Sequence, residues 1–456
     1  MSGAGKIQAP RGTSDVLGEQ AAARAVVEER ARALLEDAGY ERIETPTFEA
    51  TELFSRGVGA STDIVQKEMY TFEDASGRSL TLRPEGTAPV CRAYVEHGMH
   101  KRRQPVKLWY CSSFFRHERA QAGRYRQFWQ VGAEALGSED PALDAESITL
   151  LVRLLEDLGV AQVRLRLSSL GGHAARREYR ERLSEHLRAH EERLSEDVRA
   201  RIDQNPLRAF DSEHPGTREA MQSAPLLSEH LSAQDAEHFA EVRARLDAAG
   251  VAYEIDPTLV RGLDYYTRTV FELTSEELGA QSGVGGGGRY DGLVQELGGP
   301  PTAGIGWAAG IERILLAGAV TPEAPAPVDL FVAYERTPRD DGGRAGEAGG
   351  QAGEAGGRAG EAGGRASAQN TPSEYAPLGA YALLSQARAA GLRTRMELAG
   401  RSLKNQLSHA NTLQSRYVAI FGSDGQVALK DMGDGSQQTL SADEVVHAVL
   451  RGLHAL

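Results

Sequence analysis

The chain has 456 residues, of which 41% are hydrophobic and 25% charged, with a formal net charge of −13. That length implies two or three domains, and the composition is that of a soluble globular protein. The acidic balance argues against non-specific DNA binding over the whole surface, no apolar run is long enough to span a bilayer, and MSGAGKIQAPRGTSD lacks an apolar export core, so a cytoplasmic protein is expected.

In chain order, residues 20–38 predict a helix with Val26, Val27, Arg30, Leu34 and Leu35 on or near one face, stopped by Gly39. YERIETPTFE reads as a strand broken at Pro46. Residues 68–73 and 79–83 alternate like a hairpin turning near Ser76 and Gly77. A helix over 86–98, strands at 106–112 and 127–135, a helix over 144–158 and a strand at 163–168 follow, an α+β pattern. Cys91 and Cys111 have no second Cys or His at metal-ligand spacing, so two buried reduced thiols are expected and a structural zinc site is not.

Residues 174–248 are rich in Arg, Glu, Ala and Leu at helical spacing and read as a mostly helical insertion. Strands and glycines resume over 251–318, and TPEAPAP at 321–327 marks a domain joint. Beyond it, VDLFVAY, 392–396 and 416–421 look like strands alternating with helices at 378–390, 401–412 and 441–451. This predicts a small α/β domain with a largely parallel sheet. Residues 342–368 repeat a seven-residue Gly-rich unit with almost nothing to bury, and predict a disordered surface loop.

Four stretches carry candidate chemistry. LVRGLDYY at 259–266 lies between strand-like runs. Its Arg261, Asp264, Tyr265 and Tyr266 are costly to bury without partners; a solvated edge strand accounts for it equally well. Glu85-Gly86-Thr87 sits between a strand and a helix. Its carboxylate and hydroxyl could hold an ammonium group, and N-capping by Thr87 is the simpler alternative. In residues 114–137, Arg116, Arg119, Arg124 and Arg126 could grip phosphates bidentately. On the following strand Gln130, Gly132 and Glu134 share one face, like a pocket floor or a solvated hairpin. Finally, GVGGGGRYDGL at 283–293 and GIGWAAGIERILL at 304–316 combine close backbone approach with Arg313 near a helix start. That is a place for an anion or for a surface arginine.

Together, Glu85-Gly86-Thr87, FRHER at 115–119, GRYRQF at 123–128, LVRGLDYY, GGRYDGL at 287–293 and GIER at 310–313 occur in an order that resembles class II aminoacyl-tRNA synthetases. Pro46 matches the proline closing the first class II motif, and LVRGLDYY with GGRYDGL resembles the histidyl-tRNA synthetase family in particular. The resemblance covers most of residues 7–318 and, more weakly, the C-terminal domain. It implies a six-stranded antiparallel sheet flanked by helices within a catalytic domain at 1–325, and a helical insertion at about 171–250 that clasps the tRNA acceptor arm. It also implies an α/β anticodon-binding domain at 326–456, interrupted by the Gly-rich insert at 340–370, and a homodimer.

The implied reaction activates L-histidine with ATP and transfers it to histidine tRNA, with Mg²⁺ accompanying the ATP and no metal held by the protein itself. By resemblance Arg116, Arg261 and Arg313 are catalytic: Arg116 on the α-phosphate, Arg313 on the γ-phosphate, Arg261 by the α-phosphate and substrate carboxylate. Glu118 reads the adenine. Glu85, Gly86, Thr87, Gln130, Glu134, Tyr265 and Tyr266, with Arg116 and Arg261, form the histidine site, in which Glu134 and Tyr266 face the imidazole. Trp129 stands where many relatives carry a histidine. The competing reading is a non-catalytic, synthetase-like regulatory subunit of a histidine-biosynthetic ATP phosphoribosyltransferase. Retention of the three arginines and the presence of residues 328–456 favour the enzyme.

Overall fold

The computed structural model describes residues 6–59, 62–119, 123–279, 282–322, 327–335, 375–422 and 425–454; the repeat at 342–368 lies outside the described residues. The chain divides into two units, Met1–Pro322 and Glu323–Leu456. No helix among the described residues is long and apolar enough to cross a membrane.

The strands of the first unit are β1 (Glu41–Arg42), β2 (Phe48–Ala50), β3 (Tyr70–Glu73), β4 (Ser79–Leu82), β5 (Val106–Phe115), β6 (Gln127–Leu136), β7 (Val163–Ser169), β8 (Glu254–Ile255), β9 (Thr267–Ser275), β10 (Gly283–Arg289) and β11 (Gly304–Gly310). Its helices are α1 (Gly18–Asp37), α2 (Thr51–Phe54), α3 (Thr87–Glu96), α4 (Pro141–Asp157), α5 (His173–Ala189), α6 (Glu196–Arg199), α7 (Pro215–Met221), α8 (Ala233–Ala248), α9 (Leu293–Glu296) and α10 (Ile311–Ala317).

The main sheet runs β1-β5-β6-β11-β10-β9-β7-β8. The six inner strands are antiparallel throughout, as expected. The two-residue β1 and β8 add a parallel edge on either side, which brings the count to eight. Pro46 does break the run around it, and the break moves the chain between sheets: β1 joins the main sheet while β2 pairs with β4 in a separate sheet ordered β2-β4-β3.

Residues alternate between the two faces of the main sheet. One face buries Trp109, Val131, Ala133, Phe271 and Trp307 with residues of α1, α4, α8 and α10 in one core. In α1 the buried stripe is Ala23, Val27, Ala31 and Leu35, a clean four-residue spacing, where the sequence had pointed to Val26 and Leu34 as well. The opposite face presents Tyr110 and Glu134, and there Leu183 and Leu187 of α5 share a second core with Tyr265, Tyr266 and Tyr290.

LVRGLDYY is not a strand: 259–266 is irregular backbone between β8 and β9. The topology requires this, because β8 and β9 flank β7 on opposite sides and the chain has to cross over β7 between them.

In the second unit β12 (Leu330–Tyr334), β13 (Thr394–Met396), β14 (Tyr417–Phe421), β15 (Val427–Asp431) and β16 (Gln437–Leu440) order as β13-β12-β14-β15-β16, with helices α11 (Tyr375–Ala389), α12 (Leu403–Thr412) and α13 (Ala442–His454). The first three strands are parallel. β15 and β16 add an antiparallel hairpin absent from the sequence reading, so the sheet is mixed where a largely parallel one was expected.

Candidate active site

A cavity of about 310 Å³ lies on the open face of the main sheet, lined among others by Arg116, Glu118, Arg124, Gln130, Arg261, Glu272 and Arg313. Six sequence-predicted residues, Arg116, Glu118, Arg124, Gln130, Arg261 and Arg313, therefore meet in one place, although they come from the loop after β5, β6, the crossing segment and α10. Each cation is held by the fold. Arg116 Nε donates to the Pro84 carbonyl at 2.9 Å and its guanidinium lies 5.4 Å from the Phe128 ring centre. Arg261 Nη1 donates to Glu272 Oε1 at 2.8 Å, and Arg313 Nε donates to the Gly283 carbonyl. Glu118 pairs with Arg124 at 3.2 Å and, more loosely, with Arg116 at 3.9 Å. Burial, with Arg124 nearby, holds the Arg313 guanidinium below its ordinary pKa. Four guanidiniums around one cavity suit an anion such as a polyphosphate, since planar donor forks match phosphate oxygens.

The remaining predicted residues do not line that cavity; they form a buried network. Glu134 is wholly buried. Its Oε1 accepts from the Thr87 hydroxyl at 2.7 Å and from Tyr110 at 3.4 Å, and its Oε2 accepts from Tyr290 at 2.7 Å. A carboxylate offers about four lone-pair sites, so this arrangement leaves about one for a ligand N–H. Burial, reinforced by the charge of Glu85, pushes Glu134 up to about 8, against hydrogen bonds from Tyr290 and Thr87 that lower it.

Glu85 departs from the simple ammonium-holder picture. Its carboxylate accepts from the backbone N–H of Thr87 at 2.8 Å and of Ala88 at 2.9 Å, so it caps the start of α3, and Tyr265 donates to it at 3.3 Å. The capping role that the sequence allowed to Thr87 thus belongs to Glu85, and the Thr87 hydroxyl is turned to Glu134 instead. Tyr265 packs edge-to-face on Tyr266 at 4.8 Å and on Tyr290 at 5.9 Å.

The glycines make room for this network. A Cβ on Gly86 or Gly132 would fall on the Tyr110 ring, and one on Gly306 would fall on the Glu134 carboxylate. A Cβ on Gly288 would stand 2.9 Å from the Tyr266 ring. The glycine-dense run 283–288 is therefore a central strand whose missing side chains are replaced by Tyr266 and Arg261 from the crossing segment.

Sequence reasoning gave no role to Tyr290, Tyr110 or Glu272. Tyr290 lay inside the GGRYDGL motif and could have been read from it. Tyr110 carried no local signal, since a tyrosine in an apolar strand reads as core. Glu272 sits in TRTVFEL, whose polar face is hidden only once the chain crosses back over it. Arg119 and Arg126 do not line the cavity. Both cysteines are free and buried. No group of three His, Cys, Asp or Glu among the described residues could hold a metal ion.

Six antiparallel strands carrying arginines at the end of β5, in the crossing segment and at the start of α10 form the catalytic scaffold of a class II aminoacyl-tRNA synthetase. Family models narrow this further: one described as histidyl-tRNA synthetase matches residues 12–314, and one for an anticodon binding domain matches residues 374–451. The chain belongs to the histidyl-tRNA synthetase family. It is 45% identical over 455 residues to a histidine–tRNA ligase of Desulforudis audaxviator, covering 98% of this chain and 99% of the relative. It is 42% identical to one of Desulforamulus reducens, covering 96% and 97%. The crystal structure of apo S. aureus histidyl-tRNA synthetase matches with a TM-score of 0.72 at 31% identity, over 97% of this chain and 100% of that one.

Proposed function

We propose that this chain is a histidine–tRNA ligase that forms histidyl-adenylate from L-histidine and ATP and passes the histidyl group to the 3′ end of histidine tRNA. In the first step a histidine carboxylate oxygen bonds to the α-phosphorus of ATP, the bond from that phosphorus to the bridging oxygen breaks, and pyrophosphate leaves. In the second, a terminal ribose hydroxyl attacks the carbonyl carbon and AMP leaves. The observation that carries this reading is an arginine-lined cavity that Gln130 of β6 helps to line, together with a buried carboxylate, Glu134 of the same strand, that has three hydroxyl donors.

Negative charge builds on the α-phosphate in the first step. Preorganised cations there act in a water-poor site, where losing one donor commonly costs about 10²–10³-fold in rate. Arg116 serves the α-phosphate, Arg313 the γ-phosphate, and Arg261 both the α-phosphate and the substrate carboxylate, with Glu118 on the adenine amino group. Mg²⁺ enters as part of the ATP substrate, because the carboxylates of the cavity are already engaged by arginines or backbone. Glu134 takes the imidazole N–H at its remaining lone pair and Tyr266 serves the other nitrogen, while Glu85, Thr87 and Gln130 surround the ammonium and Tyr265 lines the wall. A site that leaves a buried carboxylate unpaired with the wrong amino acid discriminates strongly. The second unit is the anticodon-binding domain, and the working form is a cytoplasmic homodimer.

The test is histidine-dependent exchange of pyrophosphate into ATP. Exchange is expected with histidine alone among the amino acids; its absence, or faster exchange with another amino acid, overturns the assignment.

A further inference from the structure

The crossing segment that supplies Arg261, Tyr265 and Tyr266 is poorly held by the sheet it leads into. The register of β10 against β9 shifts between Gly288, opposite Val270, and Arg289, opposite Thr267. At that point Arg268 has a left-handed backbone, with φ of 45°. The ladder therefore does not carry its order back into Tyr265 and Tyr266, and carbonyls in such a turn need donors from elsewhere.

Those donors come from the helical segment. Arg176 of α5 places one nitrogen, Nη1, between two carbonyls, 2.6 Å from that of Asp264 and 2.5 Å from that of Tyr266, so that it brackets Tyr265. Asn205, also in the helical region, donates to Asp264 Oδ1 at 3.2 Å. From the other side the Asp264 N–H donates to the Val58 carbonyl at 3.2 Å. The neighbouring Gly59, with φ of 106°, has no room for a Cβ against the Asp264 side chain. Arg176 is half-buried and lies 88 and 90 residues before its two acceptors. It is not among the residues that line the arginine-rich cavity.

We infer that Arg176 is a positioning residue for the histidine pocket: through the carbonyls of Asp264 and Tyr266 it fixes the tyrosine pair against Glu85 and Glu134, so that the helical segment helps build the amino-acid site. The inference rests on the proposed histidine site. A charge-assisted contact in which one guanidinium nitrogen donates to two carbonyls is not reproduced by a neutral side chain.

The experiment is pyrophosphate exchange by the full chain, comparing the unmodified protein with Arg176→Ala. The expected result is a rise in the histidine KM of roughly tenfold or more, as losing charge-assisted hydrogen bonds implies, with the ATP KM unchanged within about twofold. Tyr179→Phe controls for general loosening of the helices. It removes a hydroxyl that donates to the Pro225 carbonyl at 2.8 Å within the same helical core, and it is expected to lower thermal stability while leaving the histidine KM in place. An unchanged histidine KM in Arg176→Ala overturns the inference alone. So does a parallel rise of both KM values, or a histidine KM that also rises in Tyr179→Phe. No histidine-dependent exchange in the unmodified protein overturns both this inference and the functional assignment.

Discussion

Replacing Glu134 by Gln separates the cost of a buried carboxylate from its use. In the folded chain the group is pushed up to about 8, first by burial and then by Glu85; unfolded, it returns to the ordinary range near 4.5. Below the unfolded value Glu134 is neutral in both states and costs nothing. As pH rises from there to about 8 the unfolded state loses its proton first, so stability falls with rising pH, and the loss is complete above the folded value. At about 1.4 kcal/mol per unit the full penalty is about 5 kcal/mol, of which about 4 kcal/mol accrues between about pH 5 and about pH 9. Gln carries no such penalty. The stability of Glu134→Gln relative to the unmodified protein should therefore rise by about that amount across this range. Urea unfolding followed by tryptophan fluorescence measures it, because all three tryptophans, Trp109, Trp129 and Trp307, lie in the first unit. A stability difference that is the same at both pH values would refute the reasoning. In exchange assays above about pH 8, where Glu134 is ionised, the same variant should bind histidine about 10–100-fold more weakly, the worth of a hydrogen bond to a charged group, so that gained stability and lost affinity appear together.

Two other substitutions follow from the geometry. Arg261→Ala should abolish adenylate formation while leaving the circular dichroism spectrum and the melting curve close to those of the unmodified protein, because its partner Glu272 keeps a second arginine, Arg166, at 3.3 Å; an active, folded variant would remove Arg261 from the mechanism. Asp144→Ala should destabilise the first unit by about 3–5 kcal/mol in urea titrations, since it strands Arg289, wholly buried and paired to Asp144 at 2.6 Å, along with His238 at 2.9 Å; a loss under about 1 kcal/mol would show that the Arg289 charge is satisfied by Asp291 and the neighbouring carbonyls alone.

Local pattern was enough for much of this protein. The α+β alternation, the 70–82 hairpin, the helices at 87–96 and 141–157 and the strands of the FRHER region depend on side-chain period and turn residues, which act over a few positions. Arg261 was legible as a charge set where apolar residues belong and Arg116 and Arg313 as arginines placed for an anion, Glu118 only through the family resemblance, which the order of the motifs supplied. Contacts between distant segments were not legible. LVRGLDYY reads as strand-like until the sheet order obliges it to cross β7. The glycine-dense run 283–288 reads as a place for close backbone approach to a ligand until Tyr266 and Arg261 fold onto it. Tyr110 reads as core until Gly86 and Gly132 open a slot for it beneath Glu134, and Glu85 turns out to cap a helix while facing a tyrosine 180 residues away. The sequence by itself determined which residues carry charge and where the chain bends. Only the tertiary structure decided which of those charges are buried together, because burial and pairing depend on strand order and on segments that meet from far along the chain, and these set the partners of Glu134.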